Sequence, residues 1–516
     1  MLPQRPVNKW IITITVMLPT LIEIIDISIT NVALHTIQGS VSADRAQVTW
    51  IVTSYLVANA IVIPMSSWLS QVFGRKRYLM LSIALFTVAS LLCGTATDLT
   101  ELLTFRVLQG AGGGGLQPLS QAILLESFPQ EERSKALAVF GLGAVSGPIF
   151  GPFIGGWITD NYSWRWIFFI NFPFGLVALA MVMAFITDPP HQKRLSRGDA
   201  IDWQGIIFLT LGIGCLQILL DKGQQYDWFG SNIIITLAIV STLCLLALII
   251  WELHHKQPII NLKLMAVRNY AAGCFYIFIG FFSYFGGIVI LPLLLQDALG
   301  YSPTQAGEVV GLGGLTVFVM LLLVNKLSAW LGGRTVIVMG VLFCAVAFYK
   351  LSLQTLNSAY WDFFSCRAIL SIGLPLYYVP ISVLTYVYIK DSQLTEATPM
   401  FNLLRNLGSS FGVAFASTIV ARRSQYHQSV LVNFLTDGNP NYDQWITHTM
   451  QVLSRTMGYV PELRTLAKAL AYREMQLQSS YLAFMDAFVL MAVIFVAMTL
   501  LVFFLHDPKH NPNSRR

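Results

Sequence analysis

Apolar runs of about twenty residues recur along this chain from Ile11 to Leu505. Each is long enough to cross a hydrocarbon layer of about 30 Å as a helix rising about 1.5 Å per residue. The chain has 516 residues, of which 55% are hydrophobic and 11% charged, whereas soluble domains average about 25% charged residues. A water-soluble fold could not cover that apolar surface, so the expectation is an all-α polytopic membrane protein. The first run holds Glu23 and Asp26 near its centre and has no small-x-small cleavage site, so it reads as a retained helix rather than a removable leader.

Fourteen spans are predicted, at 11–33, 48–70, 78–97, 101–125, 136–158, 165–187, 204–221, 231–251, 270–296, 305–326, 334–350, 360–388, 396–420 and 484–505. Loop charge tests the count independently, because short cytoplasmic loops carry an excess of Lys and Arg. With both termini cytoplasmic, 19 of the 32 Lys and Arg fall inside, among them Lys9, Arg75, Lys76, Arg77, Arg133, Lys135, Lys193, Arg194 and Arg197, and only Arg45, Arg165, Lys222 and Lys350 fall in short outer loops. A miscount by one helix would scramble that alternation. The net charge of +6 is spread over these loops without a concentrated basic face, which gives no nucleic-acid surface. The six cysteines lie in or beside apolar runs with no metal-ligand spacing and read as packing residues.

Spans seven and eight read as an insert. Removing them leaves six on each side, which predicts an N-terminal bundle over 1–190, a linker and two-helix insert over 191–260, and a C-terminal bundle over 261–516. The second bundle carries a long outer loop at 421–483, where 445–457 and 461–478 are candidate amphipathic helices; the loop reads either as a cap that shields the helix bundle or as a docking surface for a periplasmic partner. The connectors after spans two and ten echo one another: Leu69, Ser70, Gly74 and Arg75 in one, Leu327, Ser328, Gly332 and Arg334 in the other. Two six-helix halves around a midplane cavity suit alternating access in a secondary transporter.

Ionisable residues inside a bilayer are costly and mark functional sites by default. Glu23, Asp26 and Thr30 share one side of the first span, with Asn31 beside them; they form either a site that binds and releases protons or a structural hydrogen-bond cluster. Arg106, Gln109, Gly113, Gln117 and Ser120 line one side of the fourth span, and an arginine there needs a carboxylate, other acceptors or water. Gly112 to Gly115 lack the Lys-Ser/Thr ending of a phosphate loop. Gly143, Gly147, Gly151 and Gly155 recur every four residues in the fifth span, with Pro148, Pro152 and Gly156 interleaved, a ridge that lets another helix approach closely. Asn402, Arg405, Ser409 and Gly412 form a polar face in the thirteenth span, which either shapes a substrate cavity or is structural.

These segments resemble the major facilitator superfamily, specifically its fourteen-helix drug:proton antiporters of the EmrB/QacA type. Asp26 to Leu34 is similar to the family's first-helix signature, with Ser28 in place of Thr and His35 in place of Pro. Ser67 to Lys76 resembles the loop pattern G-x-L-A-D-R-x-G-R-K, keeping Gly74, Arg75 and Lys76 but with Gln71 where the acidic residue stands. Arg106-Val107-Leu108-Gln109-Gly110 matches the fourth-helix pattern, and Gly143 to Gly156 the fifth-helix antiporter motif. Trp164 to Asn171 with Pro173 resembles the entry to helix six.

The resemblance implies a major facilitator fold and export of lipophilic or amphipathic drugs and toxic compounds across a bacterial inner membrane. Protons are the implied coupling ion, with Asp26 carrying the proton, Glu23 as a second titrating or orienting group, and Arg106 balancing their charge. Members with a long outer loop before the last helix often work beside a periplasmic membrane-fusion adaptor and an outer-membrane channel, so the resemblance implies these as candidate partners. No cofactor, metal or nucleotide site is expected, and the absence of HExxH and GxSxG motifs speaks against an enzyme. Two rival readings stay open: a secondary transporter of an endogenous lipid or metabolite, and a passive channel or membrane enzyme.

Overall fold

A computed structural model describes residues 8–43, 45–188, 202–255, 258–457 and 462–506, and every regular element among them is helical. The first six predicted spans are filled by α1 (Lys9–Ser40), α3 (Trp50–Phe73), α4 (Arg75–Thr95), the pair α5 (Leu99–Gly113) and α6 (Leu116–Ser127), α7 (Arg133–Asn161), and the pair α8 (Trp166–Phe169) and α9 (Asn171–Phe185), with a short α2 (Arg45–Val48). The insert is α10 (Trp203–Lys222) and α11 (Asn232–His254). The remaining spans are α12 (Arg268–Leu293), the pair α13 (Pro303–Gly314) and α14 (Thr316–Leu331), α15 (Gly333–Ser352), α16 (Tyr360–Tyr386), α17 (Leu394–Leu431) and α19 (Leu463–Leu501), with α18 (Pro440–Met457) before the last. Twelve stretches of the described residues are long and apolar enough to cross a membrane by length and composition. The predicted linker stretch 191–201, with Lys193, Arg194 and Arg197, lies outside the described residues.

Two predicted segments differ in the structure. The span expected at 101–125 breaks at Gly114 and Gly115, where a Cβ on Gly114 would lie 2.8 Å from the Asn59 carbonyl and one on Gly115 would lie 2.7 Å from the Tyr78 hydroxyl. The break lets backbone sit directly against α3 and α4. In the long loop expected at 421–483, α18 covers the amphipathic stretch 445–457 and the start of α19 covers 463–478 of the second; the difference is continuity, because α17 runs on past 420 to Leu431 and 463–483 is one helix with the last span. At about 1.5 Å per residue, α17 is roughly 57 Å long, well beyond the roughly 30 Å of a bilayer core. These extensions and α18 form a helical projection held by Tyr442, Ile446, Ala467 and Ala471.

Within the first half α1 packs on α7, α6 and α9, and α5 lies between α3 and α4; within the second, α12 packs on α17, α16 and α19, and α15 on α16 and α19. The halves repeat each other in detail. The α3–α4 and α14–α15 junctions turn on Gly74 and Gly332, with φ of 85° and 84°, a conformation that favours glycine. Close helix contact repeats as well: Gly147 and Gly151 of α7 sit against Ile24 and Ser28 of α1, and Gly408 and Gly412 of α17 sit against Phe278 and Phe282 of α12. The α10–α11 hairpin packs on α3 and α17 through α10 and so touches both halves.

Candidate functional site

The polar centre of the first half is built around Asp26, which is 1% exposed. Its Oδ2 accepts from Arg106 Nη1 at 2.7 Å, and its Oδ1 accepts from Gln109 Nε2 at 2.9 Å and from Asn171 Nδ2 at 2.7 Å. Arg106 is fully buried; it also donates through Nε to the Ile51 carbonyl at 3.1 Å and through Nη1 to Gln109 Oε1 at 2.7 Å. Its guanidinium lies 4.3 Å from the Tyr55 ring centre. A buried arginine stays charged, so it needs a carboxylate and aligned acceptors, and this arrangement supplies both. Asn171 also donates to Ser90 Oγ at 2.9 Å, which fixes the amide that faces Asp26.

One helical turn away, Glu23 is equally buried. Its Oε1 accepts from Asn59 Nδ2 at 3.0 Å and Gln117 Nε2 at 3.1 Å, while Oε2 has no hydrogen-bond partner. The Gln117 carbonyl in turn accepts from Arg405 Nη2 of the second half. Arg405 also reaches the Tyr378 hydroxyl at 3.5 Å and lies 5.8 Å from the Phe281 ring centre. Beside this contact, Asn402 donates to Gln121 Oε1. Two polar contacts between α6 and α17 therefore join the halves next to Glu23.

The glycines of α7 serve this site indirectly. Added Cβ atoms at Gly147 and Gly151 would lie 2.4 Å from Ile24 Cγ2 and 2.4 Å from Ser28 Cβ. Gly143 and Gly155 continue the face, against Met17 and Ile29. The ridge thus seats the helix that carries Glu23 and Asp26. Pro148 and Pro152 lie within α7, but their side chains are outside the described ones; Gly156 is half-buried on the same helix.

Further contacts between the halves cluster at the end of the bundle that bears Lys9, Arg75 and Arg133. Arg133 pairs with Asp391 across the halves and donates to the Leu125 carbonyl. Gln130 reaches the Val387 carbonyl at 3.4 Å. Arg75 pairs with Glu126, whose other oxygen accepts from Thr395 of the second half at 3.4 Å. Lys9 pairs with Glu132 and holds that carboxyl below the usual carboxylate range. Lys76 donates its backbone N–H to Asp188 at 2.8 Å and its ammonium to the Met183 carbonyl at 2.6 Å. The loop lacks its own acidic residue, since Gln71 stands there, yet Glu126 and Asp188 bring carboxylates to it from neighbouring segments.

The structure brings Glu23, Asp26, Arg106, Gln109, Gln117, Asn402 and Arg405 into one connected region. Two residues do not join it. Thr30 donates to the Asp26 carbonyl of its own helix at 2.8 Å, and Asn31 is exposed, with its amide on the Ile27 carbonyl at 3.2 Å. Asn59, Gln121, Glu126 and Asp391 were not singled out from sequence. Asn59 had a signal, as a lone amide inside an apolar run; the others reach the opposite half across 258 to 281 positions.

Two helical halves of matching internal geometry, with a buried carboxylate–arginine pair beside their junction, define a secondary transporter. The chain belongs to the major facilitator superfamily, whose family model matches residues 16–413, and within it to the branch of drug exporters of the EmrB type. It is 36% identical over 435 residues to the multidrug export protein EmrB of Haemophilus influenzae, covering 83% of this chain and 84% of that protein. It is 32% identical to the probable multidrug resistance protein EmrY of Escherichia coli K12, covering 97% of this chain and 96% of that one. Among solved structures, the human organic anion transporter MFSD10 superposes with a TM-score of 0.60 over 96% of this chain and 99% of that one, at 14% identity, a likeness of fold.

Proposed function

We propose that the protein exports lipophilic or amphipathic drugs and toxic compounds across the bacterial inner membrane in exchange for protons, with both termini in the cytoplasm. The observation that carries this reading is the buried Asp26–Arg106 pair, with the equally buried Glu23 one helical turn away on the helix of Asp26, beside the other half. A carboxyl buried in apolar surroundings favours its neutral form, whereas a neighbouring guanidinium favours the charged form. Opening the site to one side and then the other changes the balance, so Asp26 takes up a proton from outside and releases it inside. Glu23 is the second titrating or orienting group. The multidrug export relatives support the direction and the substrate class.

The basic loops support the orientation, because Lys9, Arg75, Lys76 and Arg133 gather at one end, which we assign to the cytoplasm. There the ionic and amide contacts between the halves form a closed cytoplasmic gate. The helical projection at the opposite end is then periplasmic, and we assign it as the docking surface for a membrane-fusion adaptor that continues to an outer-membrane channel.

Reconstituted vesicles test the reading. Substrate flux should be accompanied by counter-flux of protons and should stop when the proton gradient is collapsed. Flux that survives collapse of the gradient overturns it.

A further inference from the structure

Gln117 occupies an unusual station. Its side-chain N–H donates to Glu23 Oε1 at 3.1 Å, and its side-chain carbonyl accepts from Arg405 of the opposite half. It is 5% exposed, and Arg405 is 4% exposed with no carboxylate within ion-pair distance among the described residues. The nearest route from that buried cation to a negative charge therefore runs through one amide. An amide holding both ends cannot turn over without losing both bonds, because turning would point its N–H at the guanidinium and its carbonyl at the carboxylate.

We propose that Gln117 is the positioning residue through which the charge on Glu23 controls the cytoplasmic gate. While Glu23 is ionised, Gln117 is held with its carbonyl toward Arg405, and α17 is held against α6. Proton binding at Glu23 removes the charge that orients the amide; Gln117 is released, Arg405 loses its acceptor, and the contact between α6 and α17 weakens with the neighbouring Gln121–Asn402 bond. The proton has a place to go, since Oε2 of Glu23 is buried and has no hydrogen-bond partner among the described residues. The other charged and titratable groups around Glu23 are Asp26 on its own helix, Tyr55 of α3, Arg106 of α5 and Arg405 of α17. The helices α7 and α9, also packed on α1, bring glycines and Asn171 to that region. Asp26 is held by three donors within the first half, so its charge does not reach the second half by this path.

The inference rests on the proton-exchange reading, and the experiment separates the two. Spin labels at Gln130 and Tyr388 report the width of the cytoplasmic gate in purified full-length protein, alongside coupled flux in vesicles. In the wild type, lowering the pH should shift the distance distribution towards the open gate. Gln117→Leu should abolish that shift and lower coupled flux by about tenfold, the size of a modest coupling between sites. Arg405→Gln should do the same, and the double variant should be no worse than either alone, as expected for residues acting in one chain. This second variant keeps the test intact if Gln117→Leu folds poorly. A wild-type pH response in folded Gln117→Leu or Arg405→Gln overturns the role of Gln117 while leaving proton exchange standing. The same follows if wild-type flux is proton-coupled but the gate ignores pH. Flux independent of the proton gradient in the wild type overturns both.

Discussion

Arg106 and Arg367 hold equivalent stations in the two halves, yet only Arg106 faces a carboxylate. Each is fully buried and donates through Nε to a carbonyl of its half's second span, Ile51 at 3.1 Å for Arg106 and Val310 at 3.2 Å for Arg367. Where Arg106 meets Asp26, Arg367 meets the Tyr284 hydroxyl at 3.4 Å and Ser371, and its Nη2 has no hydrogen-bond partner among the described residues. The fold repeats the cation; among the described residues its carboxylate partner stands in the first half alone.

That difference separates two variants. Arg106→Leu leaves Asp26 as a buried, unbalanced carboxylate, so it should cost about 3 kcal/mol or neutralise Asp26, and it should uncouple proton from substrate flux. Arg367→Leu leaves only neutral acceptors unpaired, at about 1–3 kcal/mol, and should leave the number of protons per substrate unchanged. Parallel thermal unfolding and flux measurements check both; a changed stoichiometry in Arg367→Leu would refute the contrast. Asp26→Asn keeps the bonding geometry in part and should insert normally while losing proton-coupled export.

The glycine face of α7 gives a graded series. Gly147→Ala places a methyl group 2.4 Å from Ile24 Cγ2 and 2.7 Å from the Ile24 carbonyl, and backbone cannot step aside. It should cost about 1–3 kcal/mol, typical of overpacking, and displace the helix bearing Glu23 and Asp26. Gly143→Ala meets the tip of Met17, a flexible side chain that can rotate away, and should be mild. Export assays at matched expression should rank the first variant well below the second.

The Arg133–Asp391 pair joins a buried arginine to a carboxylate that is 75% exposed. Solvent screening limits such a pair to about 1 kcal/mol or less, so Asp391→Asn should favour gate opening only slightly. The wild-type gate should loosen as salt rises, and this dependence should be weaker in the variant. Cysteine cross-linking between positions 130 and 388, in a background free of other cysteines, measures both. A salt dependence unchanged in Asp391→Asn would remove the pair from the gate.

At the foot of the helical projection, Asp486 accepts from Arg423 at 2.6 Å and lies 2.7 Å from His427 Nε2. Asp486→Asn should loosen the junction of α17 and α19 by about 1 kcal/mol and raise protease cleavage within the projection. Unaltered cleavage would show that apolar packing alone sets its order.

Much of this was legible because a bilayer makes polar residues conspicuous. Glu23, Asp26, Arg106 and Arg405 stood out as charges in apolar runs, and helical spacing placed Gln109 and Gln117 on the side of Arg106. The equivalence of Gly74 and Gly332 was visible in the repeated connector. What periodicity could not supply was distance across the fold: Gln117 and Arg405 are 288 positions apart, and neither sequence neighbourhood encodes the other. Thr30 shared a side with Asp26 but satisfies itself on its own backbone, which spacing alone does not distinguish. Polarity ended one span at 420 and began the last at 484, and amphipathic spacing marked 445–457 and 461–478 between them; what spacing did not show is that α17 and α19 run unbroken from the apolar spans into that polar stretch.

The uninterrupted run of α17 has a mechanical meaning. Asn402 and Arg405 sit on the same continuous helix whose far end stands in the helical projection, with Gly408 and Gly412 between, seated on Phe278 and Phe282 of α12. If the helix pivots near its cytoplasmic end by about 10° when the gate opens, the far end sweeps roughly 10 Å over its length of about 57 Å. A helix of that length carries a small pivot at one end into a larger displacement at the other, so motion of the polar face of α17 and motion of the projection would be one event.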